Sequence, residues 1–200
     1  SIFIDNKSTD KTLDILKKYK KSVSYNVIIN SSKDRGIYHA FNKGLKNIKG
    51  DLVTILNSDD YFSNKFVLKK ICKKFQIKKI NFLYSNIKIV SRFKKTKVIR
   101  FWRSKRLFNL DFYKVPHPSF FIKKKFIKKY NLKFDTSYKI SADLDFIINC
   151  FNKSLDYEYV NGVFVIQRSG GTSQKLLNII KANYEVYQIC KKSNIPNKFL

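Results

Sequence analysis

The sequence of 200 residues has no Met, three Cys and two His, and these scarcities narrow the kinds of site it can form. Cys72, Cys150 and Cys190 lie far apart, form no CxxC pair and are odd in number. This pattern favours free thiols in a reducing compartment over a disulfide framework or a zinc site. With His39 and His117 as the only histidines, we expect no histidine-rich metal centre. No apolar run approaches the ~20 residues that a transmembrane helix needs.

Acidic residues are scarce too, at 14 against 42 basic residues, which gives a net charge of +28. One interpretation is a polyanionic partner, either nucleic acid or an anionic membrane. The other is compositional drift, because Lys, Ile, Asn, Phe and Tyr are residues of A/T-rich codons. Lys is spread over nearly every candidate surface and no nucleic-acid-binding motif is present, so a nucleic-acid partner is not expected. Peripheral contact with an anionic membrane stays open.

What the sequence does contain is a regular alternation of strand and helix patterns. Apolar runs predict strands at residues 1–4, 25–29, 52–56, 82–90, 97–101, 117–122 and 157–166, with a hairpin link at 91–96. Apolar residues at helical spacing predict helices that follow an N-cap at Ser8 and that begin near residues 37, 68, 144 and 175. The alternation predicts one α/β domain over residues 1–200, with a mostly parallel sheet flanked by helices.

Carboxylates follow each of the first three predicted strands. Asp5 ends the first, Asp34 follows the second beside Arg35, and Asp59 and Asp60 follow the third. Because ligands of an open parallel sheet bind at the carboxyl ends of its strands, we expect these loops to meet around one ligand.

The adjacent pair Asp59 and Asp60 admits two interpretations. Neighbouring carboxylates repel each other unless a cation neutralises them. Mg2+ and Mn2+ accept one or two protein carboxylates together with phosphate oxygens, so a metal-bound diphosphate fits the pair. The alternative is an Asx-turn followed by a helix N-cap, which Asn, Ser and Asp favour.

Asp143 and Asp145 lie at the start of the helix predicted near residue 144. They stand ~100° to either side of its apolar stripe, so only one of them readily faces a given cleft. A catalytic carboxylate, or two acids that only complement the helix dipole, would both fit this placement.

Several short segments resemble, in order and spacing, those of the family 2 glycosyltransferases. The donor-side segments, similar to IDGxSTDxT, DxGIYdAmNkG and the DxD-containing GDwixfLNSDD, are residues 4–12 (IDNKSTDKT), 34–44 (DRGIYHAFNKG) and 50–60 (GDLVTILNSDD). The acceptor-side segments are residues 117–121 (HPSFF), 134–138 (FDTSY), 141–146 (SADLDF) and 170–173 (GGTS). The chain departs from the family at Asn6, usually Gly, and at Asn57, where many members carry the first Asp of DxD. Bacterial surface-polysaccharide transferases of the colanic-acid type are the most similar subgroup.

The resemblance implies a GT-A fold whose first strand would precede residue 1, and the apolar opening without Met fits such a truncation. It implies inverting, metal-dependent transfer of a sugar from a nucleoside diphosphate, with UDP expected, to a hydroxyl of a glycan or lipid-linked acceptor. Mn2+ or Mg2+ is the expected cofactor. The expected location is the cytoplasm, with peripheral contact at the inner face of the cell membrane. The alternatives are a basic nucleic-acid-binding module and an inactive remnant of the GT-A fold.

The resemblance also implies roles for the donor-side residues, in a nucleotide-binding half at about residues 1–90. Asp5 would recognise the base, and Asp34 and Arg35 would line the nucleotide or the donor sugar. Asp59 and Asp60 would hold the metal, with Asp60 slightly favoured as the direct ligand.

The acceptor-side half is expected at about residues 91–175, followed by a C-terminal helix at about 175–190. There the resemblance selects Asp143 as the general base, with Asp145 as the second choice, and places His117 near the acceptor. Arg168 would meet phosphate. The adjacent glycines, Gly170 and Gly171, would form a mobile loop that closes over the donor or the acceptor.

Overall fold

The structure, a computed structural model, describes residues 1–94, 96–107, 112–170 and 176–195. Its described strands are β1 (Ile2–Asp5), β2 (Ile28–Ser31), β3 (Leu52–Val53), β4 (Tyr61–Phe62), β5 (Phe82–Val90), β6 (Val98–Trp102), β7 (Phe121–Lys123) and β8 (Tyr157–Arg168). Its described helices are α1 (Thr12–Ser22), α2 (Ile37–Lys46), α3 (Val67–Ile77), α4 (Lys124–Lys129), α5 (Ala142–Lys153) and α6 (Leu176–Lys192). Nowhere in these ranges is a helix both long and apolar enough to cross a bilayer.

The strands form two sheets. β1 and β2 pair in parallel, and the larger sheet has the order β3-β7-β5-β8-β4, with β6 paired to β5. The predicted α/β architecture is confirmed, but the prediction of a mostly parallel sheet is wrong. Among the described pairings of the larger sheet, β5 with β8 is parallel and the other four are antiparallel. The predicted hairpin between β5 and β6 permits only antiparallel pairing, and the other three antiparallel pairings join strands that are distant in sequence, which the alternation of strands and helices did not reveal.

The central strand β5 is buried on both faces of the larger sheet. Phe82 and Tyr84 face a core that includes residues of α2, α4 and α5, whereas Leu83 and Ile89 face a second core built on α3. This division follows from the two-residue period of a strand, which sends successive side chains to opposite faces. The sheet therefore lies between two helical layers, and its strand ends are the surfaces left for a site.

Several predicted elements differ locally from the structure. Ser8 does not cap α1, which begins at Thr12; its backbone and hydroxyl donate instead to Asp5. The segment predicted as an extended strand at 117–122 begins as a 3-10 turn, His117–Ser119, before β7 starts. Pro118 lies inside this turn, which suits its restricted φ angle. The strand predicted at 52–56 is limited to β3.

Candidate active site

Asp5 ends β1 and is buried. Its carboxylate accepts hydrogen bonds from the Ser31 hydroxyl (2.6 Å), from the Ser8 backbone N–H (3.1 Å) and from the Ser8 hydroxyl. These hydrogen bonds hold the pKa of Asp5 below its usual value, and the bond from Ser31 has the largest effect. Asp5 thus ties the loop after β1 to β2, and its role in recognising the base stays a prediction.

Asp34 follows β2 and forms a compact ionic cluster with α2. Its side chain is only 3% exposed, and its Oδ1 lies 2.7 Å from Lys43 Nζ and 2.9 Å from His39 Nδ1. Its backbone N–H donates to Asn6 Oδ1 at 2.6 Å, which joins this loop to the loop after β1. Oδ2 is buried without a hydrogen-bond partner in the described part of the chain, so it can accept one from a ligand. The neighbouring Arg35 is exposed.

Asp60 is buried at the end of the Asn57-Ser58-Asp59-Asp60 turn. Its Oδ2 accepts from the Asn57 amide at 3.2 Å, and its Oδ1 accepts from the backbone N–H of Arg168 at 3.3 Å. Burial, and then the negative charge of Asp59, raise the pKa of Asp60 despite these two bonds. Asp60 is therefore a carboxylate whose ionised form would gain from a nearby cation.

Asp143, in the first turn of α5, lies at the centre of a three-residue group. Its Oδ2 is 2.8 Å from His117 Nδ1, and its Oδ1 accepts from the Tyr38 hydroxyl at 3.1 Å. Burial acts to raise the pKa of Asp143, but His117 and Tyr38 outweigh it and the pKa lies below its usual value. The Asp143 side chain is 23% exposed, so the carboxylate is ionised, held in place and still reachable from solvent.

The position of His117 is set by the 3-10 turn at the edge of the sheet. The Ser119 hydroxyl donates to the Ser85 carbonyl of β5 at 2.7 Å, and the Phe120 N–H closes the turn onto the His117 carbonyl at 3.0 Å. Ser119 is fully buried. His117 is thereby attached to the most buried strand of the sheet.

Asp145 points to a different environment from Asp143. It is 3% exposed, accepts from the Asn149 amide at 2.9 Å and lies 3.5 Å from Lys192 Nζ of α6. Burial raises its pKa, although Lys192 acts in the opposite direction. Of the two acids, the structure brings only Asp143 to His117, and it places Asp145 against α6.

Arg168, at the end of β8, lies beside Asp60 through its backbone. Its side-chain Nε is buried without a hydrogen-bond partner among the described residues, which leaves a donor available to an anion. Gly170 follows with φ +94°, a conformation that residues with a side chain rarely adopt. Gly171, which was predicted to share this loop, lies outside the described residues.

Helix α2 joins the two groups of side chains. His39 and Lys43 contact Asp34, while Tyr38 on the same helix contacts Asp143. Tyr38 and Lys43 were missed as site residues. A buried Tyr usually hydrogen-bonds through its hydroxyl, and this rule could have directed attention to Tyr38.

His117 also connects Asp143 to the Asp60 turn. It is close enough to Asp60 for its charge to act against the rise in the pKa of Asp60. The structure therefore relates Asp60, Arg168, His117, Asp143 and Tyr38 through a chain of contacts and short-range electrostatics. Asp5 and Asp34 form the neighbouring group.

A small apolar cavity of about 30 Å³ lies behind His117 and Asp143. Thr54 also lines it, and the Thr54 hydroxyl is buried without a partner in the part of the chain described. Such a volume holds one or two water molecules but no nucleotide or sugar. A larger ligand would have to lie over the loops at the strand ends.

The carboxylates at the Asp60 turn fit a divalent cation that shares its ligands with a phosphate. The described residues contain no group of three or more His, Cys, Asp or Glu that could hold a metal by themselves. Asp59 and Asp60 would supply one or two oxygen ligands, the number that Mg2+ commonly takes from protein beside substrate phosphates. The raised pKa of Asp60 is the observation that favours this fit, since a cation would offset the burial of its charge.

The known proteins to which this chain is similar agree with one another in family and in fold. Residues 1–140 match the profile of the family described as glycosyl transferase family 2. A poly(ribitol-phosphate) beta-glucosyltransferase from Bacillus spizizenii is 29% identical over 183 residues, covering 84% of this chain and 27% of its own length. The crystal structure of S. aureus TarS 1-349 in complex with UDP superposes with a TM-score of 0.73 at 19% identity, covering 96% of this chain and 55% of that one.

A second solved structure is the mannosyltransferase PcManGT from Pyrobaculum calidifontis in complex with GDP-Man and Mn2+, with a TM-score of 0.64 at 14% identity. It covers 98% of this chain and 56% of that one. The chain thus spans about a quarter of the curated relative and little more than half of each solved chain. The predicted GT-A fold is confirmed by these structural matches. With a profile that covers well over half of the chain, this protein belongs to glycosyl transferase family 2.

Proposed function

We propose that this chain transfers a sugar from a nucleoside diphosphate to an acceptor hydroxyl, with Asp143 as the general base. The observation that carries the proposal is the arrangement of Asp143 between His117 and Tyr38, beside the Asp60 turn. This arrangement offers a proton acceptor and an anion site within one surface. The donor contacts would come mainly from about residues 1–90, with Arg168 in addition, and the acceptor contacts from about residues 91–175.

In the proposed step, Asp143 takes the proton from the acceptor hydroxyl. The hydroxyl oxygen then forms a bond to the anomeric carbon while the bond from that carbon to the diphosphate breaks. The diphosphate leaves with the electron pair, and the proton stays on Asp143. A single displacement of this kind inverts the anomeric configuration. His117 and Tyr38 hold the two carboxylate oxygens, so the base is oriented before the acceptor arrives.

The diphosphate would lie at the Asp60 turn. Arg168 presents a buried Nε without a partner, and a charge-assisted hydrogen bond to a phosphate oxygen would satisfy it. Asp60, with Asp59 beside it, would hold Mn2+ or Mg2+. When bound, the cation would offset the negative charge that develops on the departing diphosphate. The Mn2+ and GDP-Man present in the Pyrobaculum calidifontis structure support this assignment.

The nucleoside and sugar would extend towards the Asp34 loop. The free Oδ2 of Asp34 can accept a hydrogen bond from a ribose or sugar hydroxyl, and the exposed Arg35 stands next to it. UDP is the proposed nucleotide, with support from the UDP complex of the S. aureus relative. Asp5 would act indirectly, by holding the loop that contacts Asp34 through Asn6.

The acceptor would be a hydroxyl of a glycan or lipid-linked glycan in surface-polysaccharide synthesis. The relative from Bacillus spizizenii carries a name that specifies a polymeric acceptor, poly(ribitol-phosphate), and this supports a polymer with hydroxyl groups here. Gly170 would let the chain after β8 turn towards that acceptor, because its positive φ excludes most other residues.

The proposal is tested with UDP binding and UDP-sugar turnover measured on the same set of variants. Calorimetry of the chain with UDP should show binding that requires Mn2+, and Asp60→Asn should abolish that requirement or the binding itself. Asp143→Asn should keep UDP binding but lower kcat by about 10²–10⁴-fold, the usual contribution of a general base.

Asp145→Asn is the matched control, since it makes the same change on the same helix but away from His117. It should lower kcat far less than Asp143→Asn. Equal turnover in Asp60→Asn, Asp143→Asn and the unaltered chain would contradict the mechanism. Absence of UDP binding by the unaltered chain would instead indicate a remnant of the fold without donor binding.

A further inference from the structure

The hairpin formed by β5, β6 and the turn between them, the basic hairpin, exposes apolar and cationic side chains together. Phe93 in its turn is 97% exposed, and Ile99 on β6 is 55% exposed. Its exposed basic residues are Arg92, Lys94, Lys97 and Arg100, and the exposed Arg103 follows β6 directly. An exposed apolar group surrounded by cations is atypical of a surface that only meets water.

The charge of this region has one sign. Residues 61–110 contain sixteen Lys or Arg and no Asp or Glu. Among the described residues, no carboxylate forms an ion pair with a cation of the basic hairpin. Arg100 instead lies over the Trp102 ring at 5.1 Å, and Arg103 lies over the Phe101 ring at 5.3 Å. The cations therefore remain available to an anionic partner.

The pairing register shows that the exposed apolar residues are not part of the core. On β6, Trp102 pairs with the buried Ile87, so its face of the hairpin is directed inwards. Phe101 pairs with Lys88 on the other face, and Ile99 is left unpaired where the register shifts between Ile89 and Val90. The outward side of the basic hairpin thus combines Phe101 with Lys88, whose Nζ lies 6.0 Å from the ring centroid, and Ile99 is exposed at the irregular position.

We propose that the basic hairpin docks the protein onto an anionic lipid surface, with Phe93 entering the headgroup region. Lys and Arg near such a surface are attracted by its negative potential, and an exposed aromatic ring gains by leaving water. A second copy of the chain is a poorer partner for this face because it would bring the same cations together. Nucleic acid would engage the cations but would leave the aliphatic Ile99 without a complementary surface.

The basic hairpin adjoins the candidate active site. The Arg92 N–H donates to the Ser169 hydroxyl at 3.2 Å, and Val90 pairs with Arg168, whose N–H holds Asp60. Docking would therefore bring the Asp60 edge close to the lipid surface. A role of this docking in reaching a lipid-linked acceptor rests on the proposed function. The docking itself does not rest on it.

The test is flotation of the chain with vesicles of phosphatidylcholine alone or with one part phosphatidylglycerol to two parts phosphatidylcholine. Binding is expected only to the anionic vesicles. The double variant Lys94→Gln/Lys97→Gln, which removes two exposed cations from the turn that carries Phe93, should weaken it by about tenfold to thirtyfold, from the attraction typical of each basic residue. Phe93→Ser should weaken it by about tenfold, because a large part of the ring would no longer leave water.

Matched controls carry the same substitutions elsewhere on the surface. Phe66→Ser alters another exposed Phe, and Lys17→Gln/Lys18→Gln removes two exposed cations from α1. Both should bind within about twofold of the unaltered chain, since the attraction fades beyond a Debye length. Equal losses in control and hairpin variants would overturn the proposal, as would binding that ignores phosphatidylglycerol.

The variant Phe93→Trp/Trp102→Phe, which moves the only Trp of the sequence from the inward face to the turn of the basic hairpin, gives a second readout. Its fluorescence should be quenched by brominated phosphatidylcholine in anionic vesicles, and unquenched emission from bound protein would contradict the assignment. The hairpin variants are also tested for binding to an immobilised single-stranded oligonucleotide. If they lose this binding but still bind vesicles normally, nucleic acid is the partner instead. UDP calorimetry on the same variants separates the two proposals, because docking variants should keep donor binding.

Discussion

The Nδ1 of His117 lies 2.8 Å from Oδ2 of Asp143, although 26 residues of the chain separate them. The pair sits where the 3-10 turn at the sheet edge meets the first turn of α5. Because burial opposes ionisation of Asp143, the low pKa of this carboxylate depends on its partners. His117 is therefore expected to determine the pH range in which Asp143 can accept a proton.

Replacing His117 with Gln should move the acid limb of the pH profile of kcat/KM to higher pH. Without the imidazole, burial dominates and the pKa of Asp143 rises, so the base becomes protonated at a higher pH. His39→Gln is the control, since His39 pairs with Asp34 and should leave the acid limb in place. An unshifted limb in His117→Gln would contradict this role of His117.

The same pair has a consequence for folding. A carboxyl with a folded-state pKa below its unfolded value stabilises the fold above the unfolded pKa, and this contribution is lost as pH falls through the folded pKa. His117→Gln should therefore reduce the free energy of unfolding near neutral pH and reduce it less in strong acid. Urea unfolding at a series of pH values measures the difference.

Ionisation of Asp60 has the opposite effect on the free energy of unfolding, because the pKa of Asp60 is raised in the folded state. Ionised Asp60 weakens the fold as pH rises through its folded-state pKa, and a bound cation should reverse this cost. Mn2+ with UDP at 100 times their dissociation constant should raise the melting temperature by about 5–10 °C. Removal of the metal with a chelator should return it to the initial value.

Asp60→Asn should melt at the same or a higher temperature than the unaltered chain without cation, and should gain nothing from Mn2+ with UDP. Asp51→Asn, an exposed Asp that precedes β3, is the control and should keep the full gain. An equal gain in both variants would remove Asp60 from the cation site.

The parts of the fold that were predictable from the sequence are those whose pattern is local. β5 was predicted at its observed bounds because its side chains are apolar on both faces, and the hairpin to β6 follows from the polar link after it. The 3-10 turn at His117 was not predictable, since it depends on the bond from Ser119 to Ser85, which is 34 residues away. Outside this hairpin, the antiparallel pairings of the larger sheet were missed because they join strands that are distant in sequence.

In the candidate site, too, the features that depend on local sequence were predictable and those that depend on distant residues were not. Helical geometry predicted that only one of Asp143 and Asp145 faces a given cleft, and the structure separates them in that way. Which environment each acid meets depends on α6 and on the 3-10 turn, both distant in sequence. The bonds of Asp5 to Ser8 are local and could have been anticipated from the Asp-x-x-Ser spacing, whereas its assignment to base recognition stays a prediction.

Gly36 should tolerate substitution poorly, because its φ of +124° is almost confined to Gly. No atom lies within 4 Å of the Cβ that Ala would add, so the cost of Gly36→Ala is a backbone cost of about 1–3 kcal/mol in the free energy of unfolding. Gly50→Ala is the matched control, with only the Leu52 carbonyl at 3.8 Å, and should change stability by about 0.5 kcal/mol at most. Urea unfolding that shows equal changes would argue against strain at the start of α2.

Glu185, a buried residue of α6, holds the segment that leads into α5. Its carboxylate accepts from the backbone N–H groups of Lys139 (2.8 Å), Ile140 (2.9 Å) and Ser141 (2.9 Å). Glu185→Ala leaves these donors unpaired and should lower the free energy of unfolding by about 2–4 kcal/mol. Since Asp143 follows two residues later, kcat should fall as well.

Glu158→Ala provides the contrast, because Glu158 pairs with the partly exposed side chains of Lys74 and Lys78. Ion pairs with exposed partners contribute little, so this variant should lose about 1 kcal/mol or less. Glu185→Gln should fall between the two, since its amide keeps one acceptor but turns a donor towards another backbone N–H. If Glu185→Ala unfolds at the same urea concentration as Glu158→Ala, α6 does not support the placement of Asp143, and the base must be oriented by His117 and Tyr38 alone.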